Sequence, residues 1–277
     1  MIEALLLDLD GTLLDNDIQA FLQVYLGRLS RAMAPWVAPE VLVPQLLRST
    51  NVMLANQDPA RTLHETFAGD FYPALGTTEE ALVGRFEDFY RDEFPKLRAQ
   101  TAQRPAAAVL VQAALASGLR LAVATNPLFP RIAIDHRLAW AGVPSGRYAY
   151  DLVTSYETFH SAKPQLAYYG EILGHLGVAA SRAAMVGDSP SDDLAPAREL
   201  GMAVFQVGPS PDPDYPGGSL EQVIGWLGTA EAQTNHDAEH APPSVLARLH
   251  GQLGTILTRF GALSDEAWRT PLGAGQW

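Results

Sequence analysis

The sequence predicts a doubly wound parallel α/β sheet with an all-helical module set into it. Three observations lead there. Short, fully apolar runs, such as residues 4–7 and 183–186, stop abruptly at polar residues: Asp8 and Asp10 after the first, Gly187 and Asp188 after the second. Runs with no polar alternation read as parallel strands buried on both faces. From residue 105 onward such runs alternate with segments of helical spacing, the pattern of a doubly wound sheet. Between the first run and residue 101 the spacing is helical, with no strand alternation.

In chain order, residues 4–7 form the opening strand, and Asp8 and Asp10 follow at its carboxyl end. Two residues apart, they point to the same side. Gly11 lets the chain turn sharply and lets backbone N–H groups approach an anion. Ile18, Phe21, Leu22, Tyr25, Leu26 and Leu29 mark a helix; Val41, Leu42, Gln45 and Leu46 mark another; Leu82, Phe86, Phe89 and Tyr90 mark one more, over about residues 81–94. Residues 16–101 are therefore read as a helical cap inserted into a core made of residues 1–15 and 102–227. In that core Pro105 opens a helix that ends near Gly118. A strand at 119–124, a helix at 130–141, a strand at 151–154 and a helix at 164–176 follow. The strand at 183–186 leads to a helix that Gly201 caps, and residues 202–207 form a last strand. Residues 208–218, with four prolines, read as a loop, and 220–227 as a closing helix. Residues 228–243 are a polar linker. Val245, Leu246, Leu249, Leu253, Ile256, Leu257 and Phe260 mark a C-terminal helical extension over 244–277.

Composition excludes several classes. With 277 residues, 47% hydrophobic and 18% charged, the chain can bury a sizeable core. Nineteen basic against 31 acidic residues, a formal net charge of −12, argue against a nucleic acid or an anionic membrane as partner. They do not forbid an anionic substrate, because a bound cation inverts the local charge. The absence of cysteine removes disulfides, thiol nucleophiles and zinc–thiolate sites. No basic leader precedes an apolar stretch, and no run approaches ~18 apolar residues, so a cytoplasmic location is expected. The apolar faces of the cap and the last helix leave room for a homodimer contact.

The chemistry gathers at the strand tips, where ligands bind in sheets of this type. Two unpaired carboxylates at one tip, Asp8 and Asp10, call for a divalent cation or a shared proton. Thr125 and Asn126 end the second core strand, and a hydroxyl and an amide there can hydrogen-bond phosphate oxygens. Only two lysines, Lys96 and Lys163, stand against 17 arginines. Lys163 offers a point charge where a planar guanidinium would not serve. Asp188, Asp192 and Asp193 crowd six residues after a buried strand, a composition suited to a hard, oxygen-seeking ion. The same acids also suit the first turn of a helix.

The stretch Asp8-Leu9-Asp10-Gly11-Thr12-Leu13-Leu14-Asp15, with Thr125, Lys163 and the acidic cluster at Asp188 in that order, resembles the haloacid-dehalogenase-type phosphohydrolases over about residues 1–227. The insertion point resembles the helical-cap subgroup. The resemblance implies a Rossmann-like core and a Mg²⁺-dependent phosphatase acting on a small phosphorylated metabolite. It implies Asp8 as the nucleophile that forms an aspartyl-phosphate, and Asp10 as general acid and then base. Thr125 and Lys163 would hold the phosphoryl oxygens. Mg²⁺ would be bound by Asp8, the main-chain carbonyl of Asp10 and Asp188, with Asp193 orienting metal-bound water. Counting on to Leu200-Gly201-Met202 favours Asp193 over Asp192 as the second acid of the last motif. A phosphosugar mutase keeps the same motifs, whereas a non-enzymatic regulator is expected to have lost one of the acids. Dehalogenases resemble a version without the second aspartate, so Asp10 argues against dehalogenation. Specificity is expected from the cap, where the polar interruption at 51–75 carries Asn56, Asp58, Arg61 and His64, with Arg61 either the leading substrate contact or the partner of Asp58 or Glu65 on the cap surface.

Overall fold

The computed structural model describes residues 1–229; the linker, almost all of it, and the C-terminal helical extension lie outside the described residues. The chain opens with β1 (Ala4–Leu7), β2 (Leu14–Asn16), α1 (Ile18–Met33), α2 (Pro39–Leu54), α3 (Leu63–Ala74) and α4 (Glu79–Asp88). A π-helical turn (Phe89–Glu93) and a 3-10 segment (Phe94–Gln100) lead to β3 (Thr101–Gln103). Then come α5 (Pro105–Ala116), β4 (Arg120–Val123), α6 (Arg131–Trp140), β5 (Leu152–Val153), α7 (Leu166–Leu176) and β6 (Ala183–Gly187). A π-helical turn (Pro190–Leu194), α8 (Ala195–Glu199), β7 (Ala203–Val207), β8 (Gly217–Gly218) and α9 (Leu220–Leu227) complete it.

Six strands form one parallel sheet in the order β5-β4-β1-β6-β7-β8. Counted along the chain within that sheet, this is the 3-2-1-4-5-6 order, whose ligand crevice opens where the order reverses, beside the first strand. β1 is central, and all four of its side chains are fully buried. Leu5 and Leu7 join one apolar cluster with Leu110 of α5 and Val223 of α9. Ala4 and Leu6 join another with Tyr168 and Ile172 of α7. The alternation of a strand thus feeds both faces of the sheet, and each buried leucine contributes about 1.5–3 kcal/mol. Among the described residues no helix is long and apolar enough to cross a membrane.

Four features depart from the sequence reading. β2 and β3 pair antiparallel, Asn16 opposite Thr101, where the chain enters and leaves the helices α1–α4. Strands of three residues are too short to show alternation. The interruption at 51–75 contains α3, which opens with a reciprocal capping box between Thr62 and Glu65. The helix expected over 81–94 ends at Asp88, and the chain continues as the π turn and the 3-10 segment, whose first turn holds Pro95, a residue without an N–H. The loop 208–218 ends in an extra edge strand, β8, paired with β7.

The helices α1–α4 are fastened to the core on two sides. Tyr25 of α1 and Phe94 meet Phe129 at ring separations of 5.3 and 6.3 Å. Phe94 also stacks on Trp140 of α6 at 5.5 Å. On the other side the α2–α3 connection bonds to residues 156–160. Leu63 N–H donates to Phe159, His64 N–H to Tyr156, and the Asn56 amide to His160.

Candidate active site

Register brings the site together. Leu7 lies opposite Val123 of β4 and Val186 of β6, so Asp8 leaves the sheet between those two strand ends. The Asp8 N–H donates to the Val186 carbonyl at 2.9 Å, and Ala124 N–H to the Leu7 carbonyl at 2.8 Å. Thr125, two residues past the end of β4, and Asp188, one residue past the end of β6, therefore stand on either side of Asp8. Tyr168 and Thr154 both donate to the Thr125 carbonyl, at 2.8 and 2.7 Å, which fixes that tip.

Lys163 is the centre of the arrangement. Its ammonium, 3% exposed, lies 2.7 Å from Asp8 Oδ1 and 2.5 Å from Asp193 Oδ1. Burial alone would push the ammonium down, but Asp193 and Asp8 outweigh it and hold Lys163 well above the ordinary lysine value. Asp193 also accepts from the Ser189 N–H at 3.1 Å. A Cβ on Gly187 would run into the Asp193 carboxyl, so glycine lets that acid lie against the end of β6. Oxygens of Asp8, Asp188 and Asp193 all lie within 4.8 Å of one another, whereas Asp192 is not in that group. Partial desolvation, then the charge of Asp8, pushes the Asp188 carboxyl up to about 6.

Asp10 has a different environment. Its Oδ1 accepts from the Asn16 amide at 2.9 Å, and its Oδ2 pairs with Arg137. Burial raises the Asp10 pKa against the opposing pull of Arg137. Arg137, on α6, is 1% exposed, and its guanidinium lies 4.6 Å from the centre of the Phe129 ring. Neither Asn16 nor Arg137 was singled out from the sequence. The signal for Arg137 was present: it shares the buried stripe of α6 with Ile134 and Leu138.

Two sequence expectations change. The Gly11 N–H is taken by the Leu14 carbonyl at 2.9 Å and by Asn16 Oδ1 at 3.0 Å, so it is not offered to an anion. What Gly11 supplies is a φ of +81° and room for Asp188, whose carboxyl a Cβ there would strike. Gly11→Ala should accordingly lower stability by about 1–2 kcal/mol and weaken cation binding at the cluster. Urea unfolding and titration calorimetry with magnesium would check both; an unchanged midpoint and affinity would refute the assignment. Arg61 is exposed, and its guanidinium donates to the Glu65 carbonyl at 3.1 Å. That contact ties its guanidinium to the first turn of α3. Asn126 does lie at its tip, with a buried amide oxygen that has no partner; the Thr12 hydroxyl beside Gly11 is orphaned in the same way.

The donor set fits a hard divalent cation. Asp8, Asp188 and Asp193 offer only oxygen. Four carboxylates, counting Asp10, face two cationic side chains, Lys163 and Arg137. A cation offsets that excess, and oxygen ligands are what Mg²⁺ selects. An anionic phosphate would be repelled by these acids without it.

The family model of haloacid dehalogenase-like hydrolases matches residues 2–201. The chain is 31% identical over 209 residues to a phosphoglycolate phosphatase of Rhodospirillum rubrum, covering 74% of this chain and 78% of that one. A crystal structure of 2-haloacid dehalogenase from Pseudomonas syringae pv. tomato is similar with a TM-score of 0.55 and 25% identity, over 82% of this chain and 98% of that one. A phosphatase structure from Thermococcus onnurineus shares the fold, with a TM-score of 0.50 and 18% identity over the same shares.

Proposed function

The chain belongs to the haloacid dehalogenase-like hydrolases, and from that premise we propose that it is a magnesium-dependent phosphomonoesterase working through an aspartyl-phosphate on Asp8. One observation carries the reading: two carboxylates two residues apart have different partners, Asp8 the Lys163 ammonium and the cluster with Asp188 and Asp193, Asp10 the Arg137 guanidinium and the Asn16 amide. Asp8 is paired with the Lys163 ammonium, whereas burial pushes Asp10 toward its protonated form. A carboxyl that burial raises is suited to give a proton, and one held at a cation cluster is suited to attack phosphorus.

Asp8 attacks phosphorus, and the bond to the leaving alkoxide breaks. Asp10 gives that oxygen its proton, then takes one from the water that hydrolyses the acyl phosphate. Arg137 and Asn16 orient Asp10. Lys163 and the Thr125 hydroxyl stabilise the phosphoryl oxygens as charge redistributes. Asp8, Asp188 and Asp193 would hold Mg²⁺, which neutralises phosphate charge when bound. The helices α1–α4 act as a cap that excludes water from the strand tips. The relative's name includes phosphoglycolate, which makes small phosphorylated acids one substrate class to test. The dehalogenase relative is a rival in chemistry, but a second aspartate paired with Arg137 has no task in displacing halide from a carbon.

A panel of phosphomonoesters assayed with magnesium tests the function. Chelation should stop phosphate release and magnesium restore it. Magnesium at 100 times its dissociation constant should also stabilise the fold by about 2.7 kcal/mol. Full turnover in excess chelator, with no stabilisation by magnesium, would refute the metal assignment.

A further inference from the structure

The helical segment and the core enclose a cleft of about 350 Å³, a volume typical of sites for small organic ligands. Its walls are chiefly aromatic and aliphatic: Tyr25 and Leu26 of α1, Phe67 of α3, Val83 and Phe86 of α4, and Phe129 of the core. The same loop that ends β4 reaches both places. Thr125 and Asn126 stand at the strand tip, and Leu128, Phe129 and Pro130 line the cleft. Phe129 is the shared wall, with the cleft on one side and Arg137, the partner of Asp10, over its ring.

Charge narrows what can lie there. Among the described residues lining the cleft there is no lysine or arginine, while Glu79, Glu87 and Glu157 all line it. The lining histidine, His64, is bonded to Glu79 at 2.8 Å. Arg137 is not in the lining, and Asp10 already engages it. A carboxylate entering this cleft would meet like charge and no counter-charge. An uncharged apolar or aromatic group would gain burial against the aromatic and aliphatic walls.

We propose that this cleft receives the leaving-group half of the substrate, and that this half is an uncharged apolar or aromatic alcohol rather than a small carboxylate. The proposal rests on the phosphomonoesterase reading above. The chemistry balances as ordinary monoester hydrolysis: water is consumed, and phosphate and the free alcohol leave.

The test compares three alkyl phosphates whose leaving groups are all alcohols: ethyl phosphate, 2-phenylethyl phosphate and phosphoglycolate. The wild type should hydrolyse 2-phenylethyl phosphate with a kcat/KM at least about tenfold above both others. Val83→Trp, at an exposed position of the cleft wall, should cut the 2-phenylethyl to ethyl ratio severalfold by filling the space. The ratio separates loss of the cleft from a general loss of activity. Phosphoglycolate as the best of the three, or equal rates for the ethyl and phenylethyl esters, would overturn the cleft assignment while leaving the phosphatase intact. No hydrolysis of these three or of any other ester in the phosphomonoester panel by metal-loaded protein would overturn the phosphatase reading itself, and this proposal with it.

Discussion

Asp8→Asn should fold normally and release almost no phosphate, with kcat lower by about 10⁴-fold or more. An amide of the same shape neither attacks phosphorus nor carries the charge that draws a cation. The fold should tolerate it, because Lys163 keeps its 2.5 Å contact to Asp193 and β1 keeps its buried side chains. Removing a buried charge next to three other acids also relieves repulsion, so the unfolding midpoint should hold or rise. Phosphate release with unfolding by urea, on the same preparation, checks both halves. Folded Asp8→Asn protein with more than a few per cent of wild-type turnover would exclude Asp8 as the nucleophile.

Lys163→Met should lose both stability and activity. The ammonium is the link between two buried carboxylates, and removing one partner of a buried pair typically costs about 3–5 kcal/mol. Methionine fills similar volume, so the loss reports charge rather than a cavity. Magnesium should recover part of the stability, since a cation at Asp8, Asp188 and Asp193 offsets the same excess charge. Turnover should stay at least about 10²-fold down even with magnesium, because the phosphoryl oxygens have lost their ammonium. Denaturant unfolding with and without magnesium separates the two roles. Stability equal to wild type in chelator would contradict the central place given to Lys163.

Much of the sheet was legible because its strands are short apolar runs with hard stops. The opening strand ends in Asp8, the β4 run in Thr125, and the β6 run in Gly187 and Asp188, so each strand tip announced its own chemistry. Lys163 stood out through its rarity as a lysine. The parts that were not legible depend on long-range pairing. The β2–β3 ribbon joins residues 85 to 89 positions apart and is too short for any period. Arg137 lies 127 residues from Asp10, and nothing local in the sequence links them. Only its place on the apolar stripe of α6 hinted that its charge must be paired inside. Arg61 was open between a substrate contact and a partner of Glu65, and the structure shows it on Glu65, at the start of a capped helix. The Thr62–Glu65 capping box was visible in sequence and would have assigned it. The Gly11 N–H misled because Asn16, six residues after Asp10, folds back onto the turn.

The central claim is that phosphorus passes through Asp8. It is tested most directly by mixing metal-loaded enzyme with ³²P-labelled 2-phenylethyl phosphate or ethyl phosphate, quenching in acid within one turnover, and reducing with borohydride. An acyl phosphate on Asp8 should appear as label on the peptide spanning residues 4–16 and, after reduction, as homoserine at position 8. Phosphate released with no labelled protein at any quench time, or label and reduction at another residue, would contradict the account.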